Sequence, residues 1–337
     1  MTTRSGPSGS QPDPGLAAIV SERRQLINLA YRLLGSLTEA EDAVQEAYAR
    51  WYAMTGQQQQ AIGNPPAWLT TVTSRICLNL LGSARARRET YTGTWLPEPL
   101  PDPAEWPVGR PGAAADPADR VTLDESVSMA FLVVLDAMTP AERVAFILHD
   151  VFGYPFTEVA EITGRTPAAC RKLASTARRR IRAAQSPATP AARQASIVKA
   201  FKQAWEAADI AALISLLDPG ATVTGDLGGL PAALSGPLQG AGQIARTCLA
   251  VASQATGLTL VERTVNGQPG LIAQQDGITV MVFAFEVTGD QITRIWAILN
   301  PDKLRPWAGG QGYSAPFSAA TSSGTRPVMR APATGSL

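Results

Sequence analysis

Between Thr163 and Arg182 the chain carries seven basic residues and no acidic one. Arg171, Lys172, Ser175, Arg178, Arg179 and Arg182 fall on one side of a helical period. Cys170, Leu173, Ala174, Ala177 and Ile181 fall on the other. Charge of a single sign on a surface narrow enough to enter a groove suits a polyanion. Cations neutralise phosphates, and the arginine fork matches the two acceptors on a guanine edge. Residues near the start of such a helix meet bases, so Arg171 and Lys172 are the expected base contacts, with Arg165 and Thr166 just before them. Arg178, Arg179 and Arg182 are the expected phosphate contacts. The alternative is an ordinary solvated face, but such faces mix both signs of charge and this one does not.

A helix–turn–helix would hold this face in position. Phe156, Val159, Ala160 and Ile162 give a first helix its apolar stripe. Gly164 suits a left-handed turn at its end, Thr166 an N-cap, and Pro167 the first position of the second helix.

The whole chain of 337 residues is too long for one ordinary core, so two or three domains are expected. Its net charge of +1 means that any affinity for nucleic acid comes from local patches. Residues 1–15 are rich in Gly, Ser and Pro, lack the apolar run of a secretory signal, and are expected to be disordered. No stretch reaches the roughly 18 apolar residues of a membrane span. Cys77, Cys170 and Cys248 are far apart and form no CxxC pair, which predicts free thiols in a cytoplasmic protein. The single histidine, His149, reads as structural; no metal and no cofactor are expected.

Residues 16–89 are helical throughout in pattern. Leu26, Leu29, Ala30 and Leu33 mark one helix ending near Gly35. Thr38, with Glu41 three residues on, predicts a capping box for the next, which is acidic at Glu39, Glu41, Asp42 and Glu46. A polar loop, Thr55–Asn64, precedes a helix opened by Pro65 and Pro66, with Trp68, Leu69, Val72, Ile76 and Leu80 as its core stripe. Arg75, Asn79, Arg85, Arg87 and Arg88 lie elsewhere on that helix. Asn79 has two readings, a base contact or a solvent-facing polar residue. Residues 90–122 form a Pro-rich linker, with five acids and two bases from Trp95 to Arg120. Its prolines forbid regular helix and favour extended backbone. It is either a plain spacer or an acidic strap for a nucleic-acid channel. Residues 123–184 carry the helix–turn–helix. Residues 190–305 begin with two helices, around Arg193–Ala208 and Asp209–Asp218. Strand patterns with tight turns follow, which read as antiparallel hairpins in an α+β domain. Residues 306–337 are expected to be a disordered tail.

The stretch from Glu41 to Tyr52, followed by Pro65–Leu81, resembles region two of an extracytoplasmic-function sigma factor. The helix–turn–helix resembles region four of the same family. Two motifs in the right order make the resemblance specific over residues 17–183. Trp95, Leu96 and Pro97 are similar to a linker motif of the subgroup that carries a fused SnoaL-like domain. Asn300, Pro301, Asp302, Lys303 and Leu304 are similar to that subgroup's C-terminal signature. Asp226, Leu227, Gly228 and Gly229 stand where it usually shows Asp-Gly-Gly-Gly, with Leu227 as a departure. The resemblance implies a multidomain fold: two all-α sigma domains and a C-terminal α+β SnoaL-like cone-shaped barrel. It implies that the acidic helix, through Asp42, Gln45 and Glu46, docks on core RNA polymerase. It implies that Arg75, Asn79, Arg85, Arg87 and Arg88 serve the −10 element of promoter DNA and the basic helix the −35 element. The subgroup motifs imply interdomain, regulatory contacts at Trp95–Pro97, Asp226–Gly229 and Asn300–Leu304.

Two other classes compete for the C-terminal domain. Related barrels include enzymes, and catalysis needs a pocket acid or base of tuned pKa. The domain has no histidine, and Asp226, Asp276 and Glu286 have no partner implied by spacing, so the chain is not expected to be an enzyme. A small-molecule ligand that biases the sigma domains is compatible with transcription and stays open.

Overall fold

The computed structural model describes residues 14–89, 94–102, 127–184, 187, 189–228, 237–255 and 257–307, without the side chains of 14–21 and 84–89. The expectations for residues 1–13, for most of the linker and for the tail after 307 therefore lie outside the described residues, as does Gly229.

Four helices open the fold: α1 (Pro14–Leu34), α2 (Leu37–Tyr52), α3 (Gly56–Gln60) and α4 (Pro65–Glu89). The expected loop at Thr55–Asn64 contains α3, which is closed by a reciprocal capping box between Thr55 and Gln58. The start of α2 departs from expectation. Its N-cap is Ser36, whose Oγ accepts from the Glu39 N–H at 3.3 Å, not Thr38. The cause is long-range. Glu98 accepts from the Leu37 N–H at 2.8 Å and from the Ser36 hydroxyl at 3.1 Å, so the helix begins where a remote carboxylate satisfies its first donors.

The second helical unit comprises α5 (Met129–Asp136), α6 (Pro140–Phe146), α7 (Phe156–Thr163) and α8 (Pro167–Ala184). A π-helical turn, Ile147–Val151, continues α6. Gly164 ends α7 in the left-handed region, and Thr166 caps α8 by accepting from the Ala169 N–H at 3.2 Å. The two helical units share one core, running from Leu26, Tyr31 and Val44 through Ile76 to Leu148, Ala174 and Ile181.

The C-terminal domain has α9 (Ala191–Glu206), α10 (Ile210–Leu216) and α11 (Ala241–Gln254). Its six strands are β1 (Leu217–Asp226), β2 (Leu238–Gln239), β3 (Leu258–Val265), β4 (Gln268–Gln275), β5 (Ile278–Thr288) and β6 (Gln291–Ile298). Their order is β2-β1-β6-β5-β4-β3. The expected antiparallel hairpins are present for β3 to β6, but β1 pairs with β6 in parallel, so the sheet is mixed. The crossover through α11 and the hairpins makes that pairing, and hairpin signals alone do not reveal it.

The sheet is buried on both faces. Leu271, Phe283, Phe285 and Ile295 pack under the three helices. Their strand neighbours Ile272, Val282, Ala284, Trp296 and Ile298 form a separate core with Leu96, Met129 and Leu304 on the opposite face. Residues 94–102 run as a strap between the first helical unit and this second face, and Pro101 bridges to Val265 on the edge strand β3.

Candidate nucleic-acid interface and the joint behind it

Helix α8 turns Cys170, Ala174, Ala177 and Ile181 inward and leaves Arg171, Lys172, Ser175, Arg179 and Arg182 exposed, with Arg165 and Thr166 exposed just before it. The structure thus brings seven of the eight expected residues to one open surface. Arg178 is partly exposed, and its Nε lies 3.1 Å from the Asp150 carboxylate, which ties α8 to the π-helical turn. Arg180, not singled out by the sequence, donates to the Ala137 carbonyl at 3.0 Å and also braces the helix. The Arg171 guanidinium lies over the Phe156 ring, 5.8 Å from its centre, which orients it beside the turn. If this face reads base edges, replacing Arg171 or Lys172 by alanine should each cost about 1–3 kcal/mol of DNA binding. Footprinting with unchanged protection in both variants would remove them from the reading set.

On α4, Asn79 is exposed and Arg75 donates to the Glu161 carbonyl on α7 at 2.9 Å. Arg85, Arg87 and Arg88 stand in the last turns of that helix, and their side chains lie outside the description. Asp42, Gln45 and Glu46 form an exposed strip on α2, with Glu46 paired to Arg50. Trp68 packs against Trp51 with ring centres 5.3 Å apart, as a core residue does. His149 is likewise structural, its Nδ1 2.8 Å from the Tyr154 carbonyl and its ring stacked on Phe156. The three cysteines are free and buried.

The subgroup motifs meet at one place. Asp226, fully buried, accepts from the Leu96 N–H at 2.9 Å and from the Lys303 ammonium. That ammonium also donates to the Leu96 carbonyl and lies 4.1 Å from the centre of the Trp95 ring. Asn300 caps the turn Pro301–Lys303 that carries the lysine, and Leu304 packs into the same core as Leu96. Gly228 sits at φ 62°, where a Cβ would come within 2.8 Å of the Asn300 Oδ1. Pro97 is buried within the strap. Of the residues expected here, only Gly229 lies outside the description.

Three further residues of this joint escaped the sequence reading: Glu98, Tyr31 and Asn266. Glu98 grips the start of α2 through its carboxylate, donates its N–H to the Gly35 carbonyl at 2.7 Å, and accepts the Tyr31 hydroxyl on its own carbonyl at 2.7 Å. Asn266 donates to both the Tyr31 hydroxyl and the Val127 carbonyl at 2.9 Å, and accepts from the Leu100 N–H at 3.0 Å. At residues 94–102 the linker is therefore bound into the joint and is no plain spacer there, while residues 103–122, with most of its acids, lie outside the described residues. A signal did exist for Asn266: Asn266 and Gly267 form a two-residue hairpin turn. Nothing local said what the side chain would meet.

Burial pushes the Glu98 carboxyl up to about 6 from an ordinary 4.5, against the pull of the Leu37 N–H, the Ser36 hydroxyl and Lys303. The closed joint thus binds more protons at Glu98 than an opened one between these two values. Its contribution is full below about 4.5 and is lost as pH rises through about 6, a swing of about 2 kcal/mol. Urea midpoints of the full chain should shift with pH across this window, and Glu98→Gln should flatten that dependence. A midpoint slope that survives in Glu98→Gln would assign the effect elsewhere.

A cationic helix in a helix–turn–helix, beside a second helical bundle with an exposed acidic strip, fits a nucleic-acid-binding protein. Comparison with known proteins gives the family. Residues 18–87 match Sigma-70 region 2 and residues 128–181 match Sigma-70, region 4. The chain is 38% identical over 294 residues to the ECF RNA polymerase sigma factor SigJ of Mycobacterium tuberculosis, covering 84% of this chain and 90% of that one. It is 36% identical over 300 residues to the probable ECF RNA polymerase sigma factor SigI of the same species, covering 88% and 97%. The crystal structure of M. tuberculosis SigJ superposes with a TM-score of 0.68 at 34% identity, over 86% of this chain and 98% of that one. The chain belongs to the extracytoplasmic-function RNA polymerase sigma factors, the family that binds core RNA polymerase and directs promoter-specific transcription, and its C-terminal domain of helices and a six-stranded sheet matches the M. tuberculosis SigJ structure. Among the described residues no helix is long and apolar enough to cross a membrane.

Proposed function

We propose that the free chain is a self-restrained sigma factor. The strap and the SnoaL-like domain clasp regions two and four together, and core RNA polymerase separates them. The observation that carries this reading is the hydrogen bond from Arg75 on α4 to the Glu161 carbonyl on α7, at 2.9 Å. Two more bonds span the same boundary: Arg143 donates to the Leu33 carbonyl at 2.8 Å, and the Tyr154 hydroxyl to Thr70 at 3.1 Å. Elements centred near −10 and −35 lie about 25 base pairs apart, on the order of 85 Å along B-form DNA. Helices in direct contact cannot reach both at once. In the closed chain α8 is open to DNA while Arg75 is occupied, so the restraint falls on joint reading of the two elements.

In this reading Asp42, Gln45 and Glu46 face the polymerase. Arg75, Asn79, Arg85, Arg87 and Arg88 serve the −10 element once α4 is released, and the exposed residues of α8 serve the −35 element. The C-terminal domain acts as a restraint and not as an enzyme. In support, Asp226 is consumed by Lys303, Glu286 pairs with Arg294 at 3.1 Å, and Asp276 stands in a tight turn.

A chain ending at Asn300 lacks Lys303 and Leu304. It should scatter as a larger particle than the full chain and give more run-off transcript with purified core enzyme. Asp42→Arg and Glu46→Arg, introduced into that truncated chain, should reduce its association with core. The proposal fails if the truncated chain transcribes no better and the full chain already scatters as an extended particle.

A further inference from the structure

We propose that the apolar cavity within the SnoaL-like domain is an effector site for a small, neutral, hydrocarbon-like molecule, whose occupancy loosens the joint through strands β1 and β6. The consequence for the joint rests on the closed-chain reading above; the binding does not. The cavity holds about 70 Å³ and is walled by Phe201, Trp205, Leu227, Met281 and Phe283, among other apolar side chains. A single water needs about 10–15 Å³ of such space, and a fully apolar cavity of about 150 Å³ stays dry and takes benzene. A small apolar guest therefore fits if flexible Met281 and Leu227 give way.

The polar groups in the wall are already spent. The Trp205 indole N–H donates to the Cys248 carbonyl at 2.8 Å, and the Thr247 hydroxyl to the Gln243 carbonyl at 3.0 Å. Burial pushes the Cys248 thiol up to about 12, so it is neutral at physiological pH. Among the described residues no acid or base lines the space. A charged or strongly polar guest would lose its hydration and gain no partner, whereas a neutral apolar one gains burial.

The coupling follows from strand alternation. Gly225 pairs with Ala297, and both line the cavity. The next pair along, Asp226 and Ile298, faces the opposite way. Asp226 binds Leu96 and Lys303, and Ile298 packs with Leu96 and Leu304. One layer of backbone thus separates the cavity from the joint, and the side chains on its cavity face are among the smallest. A guest larger than the cavity pushes on that layer and shifts Asp226 from its partners. Leu227, the departure from the subgroup's usual glycine, is itself part of the cavity wall.

The test uses the full chain with four probes: benzene and cyclohexane as neutral probes, benzoate and benzylammonium as charged ones. Ligand-observed NMR and the thermal midpoint should report saturable binding of the neutral pair only. Thr247→Leu and Val251→Phe fill the cavity from α11, which contributes neither strand of the shared wall. Whichever of the two still melts cooperatively should bind the neutral probes at least ten-fold more weakly. Saturating neutral probe should raise affinity for core polymerase about five-fold or more, within the usual range of coupling between sites, and expand the scattering profile. Equal binding of charged and neutral probes, no binding of any probe, or unchanged binding in a folded filled variant would overturn the site. Neutral binding that leaves scattering and polymerase affinity unchanged would overturn the effector role. If Lys303→Met also leaves both unchanged, the closed-chain reading itself has failed; if it does not, only the effector role has.

Discussion

Lys303→Met should open the joint while leaving each domain folded, and should raise polymerase-dependent transcription. Lys303 pairs with the Asp226 carboxylate at 2.5 Å, and both side chains are at least nine-tenths buried. Breaking a buried pair from one side leaves an uncompensated charge, which costs about 3–5 kcal/mol. The Leu96 and Gly228 N–H groups still donate to Asp226, at 2.9 and 3.2 Å, so the low end of that range applies. About 3 kcal/mol moves the balance between closed and open chains by roughly a hundred-fold. The strap also loses the ammonium that donates to the Leu96 carbonyl and covers the Trp95 ring. The double variant Asp226→Asn with Lys303→Met separates charge from shape. Removing both charges leaves no ion to desolvate, so much of the closure should return. Scattering and run-off transcription on the two variants check this. A single variant as compact and as quiet as the parent, or a double variant more open than the single, would show that the pair does not hold the joint.

The parts of this molecule legible in sequence are those whose causes are local. The periodicity of α8, the glycine stop at Gly164 and the cap at Thr166 lie within a few residues of what they specify. The strands were legible for the same reason. The run Val280–Phe285 is apolar at every position, which says that both faces of β5 are covered. It does not say by what, and the second cover turns out to be Leu96, Met129 and Leu304, from three separate stretches. The misplaced cap of α2 has the same origin. Thr38 and Glu41 satisfy the local rule, but Glu98 reaches the helix start from 61 residues away and fixes it at Ser36. The single-signed charge of the basic face was legible, whereas the pairing of Arg178 with Asp150 was not, because the π-helical turn that presents Asp150 has no local signature. The subgroup motifs named Asp226 and Lys303 as contact points without their partners. Asn266 was legible only as a turn residue.

Asn266→Gly should release the strap and both sigma regions together, and the choice of glycine makes the experiment selective. Asn266 stands at φ 50° and Gly267 at 74°, the two central positions of the turn that joins β3 to β4. Glycine adopts that backbone at no steric cost, so the hairpin survives. What disappears is the side chain, and with it one bond to each of three separate parts of the chain. Its Nδ2 holds the Tyr31 hydroxyl of region two and the Val127 carbonyl at the start of region four, and its Oδ1 holds the Leu100 N–H of the strap. Tyr31 keeps its bond to the Glu98 carbonyl. Val127 and Leu100 lose these side-chain partners in a buried site, at about 1–3 kcal/mol for each group left unpaired. The total is comparable with the loss of Lys303, yet it comes from neutral groups. Its effect should therefore vary little with salt and should add to that of Lys303→Met only as far as the two sites are independent. Asn266→Asp gives the contrasting result. It keeps an acceptor for Leu100 but has no donor for Val127 or Tyr31, and it buries a charge, so it should open the chain further than glycine does. Amide exchange would report the difference directly. Faster exchange at Leu37 and Leu96 with protection retained across β3 and β4 is the expected pattern, because those two N–H groups bond across the joint while the strand ladder does not. Loss of protection in the hairpin itself would mean that Asn266 serves only its own turn. Unchanged exchange at Leu37 and Leu96 would mean that the joint does not depend on it.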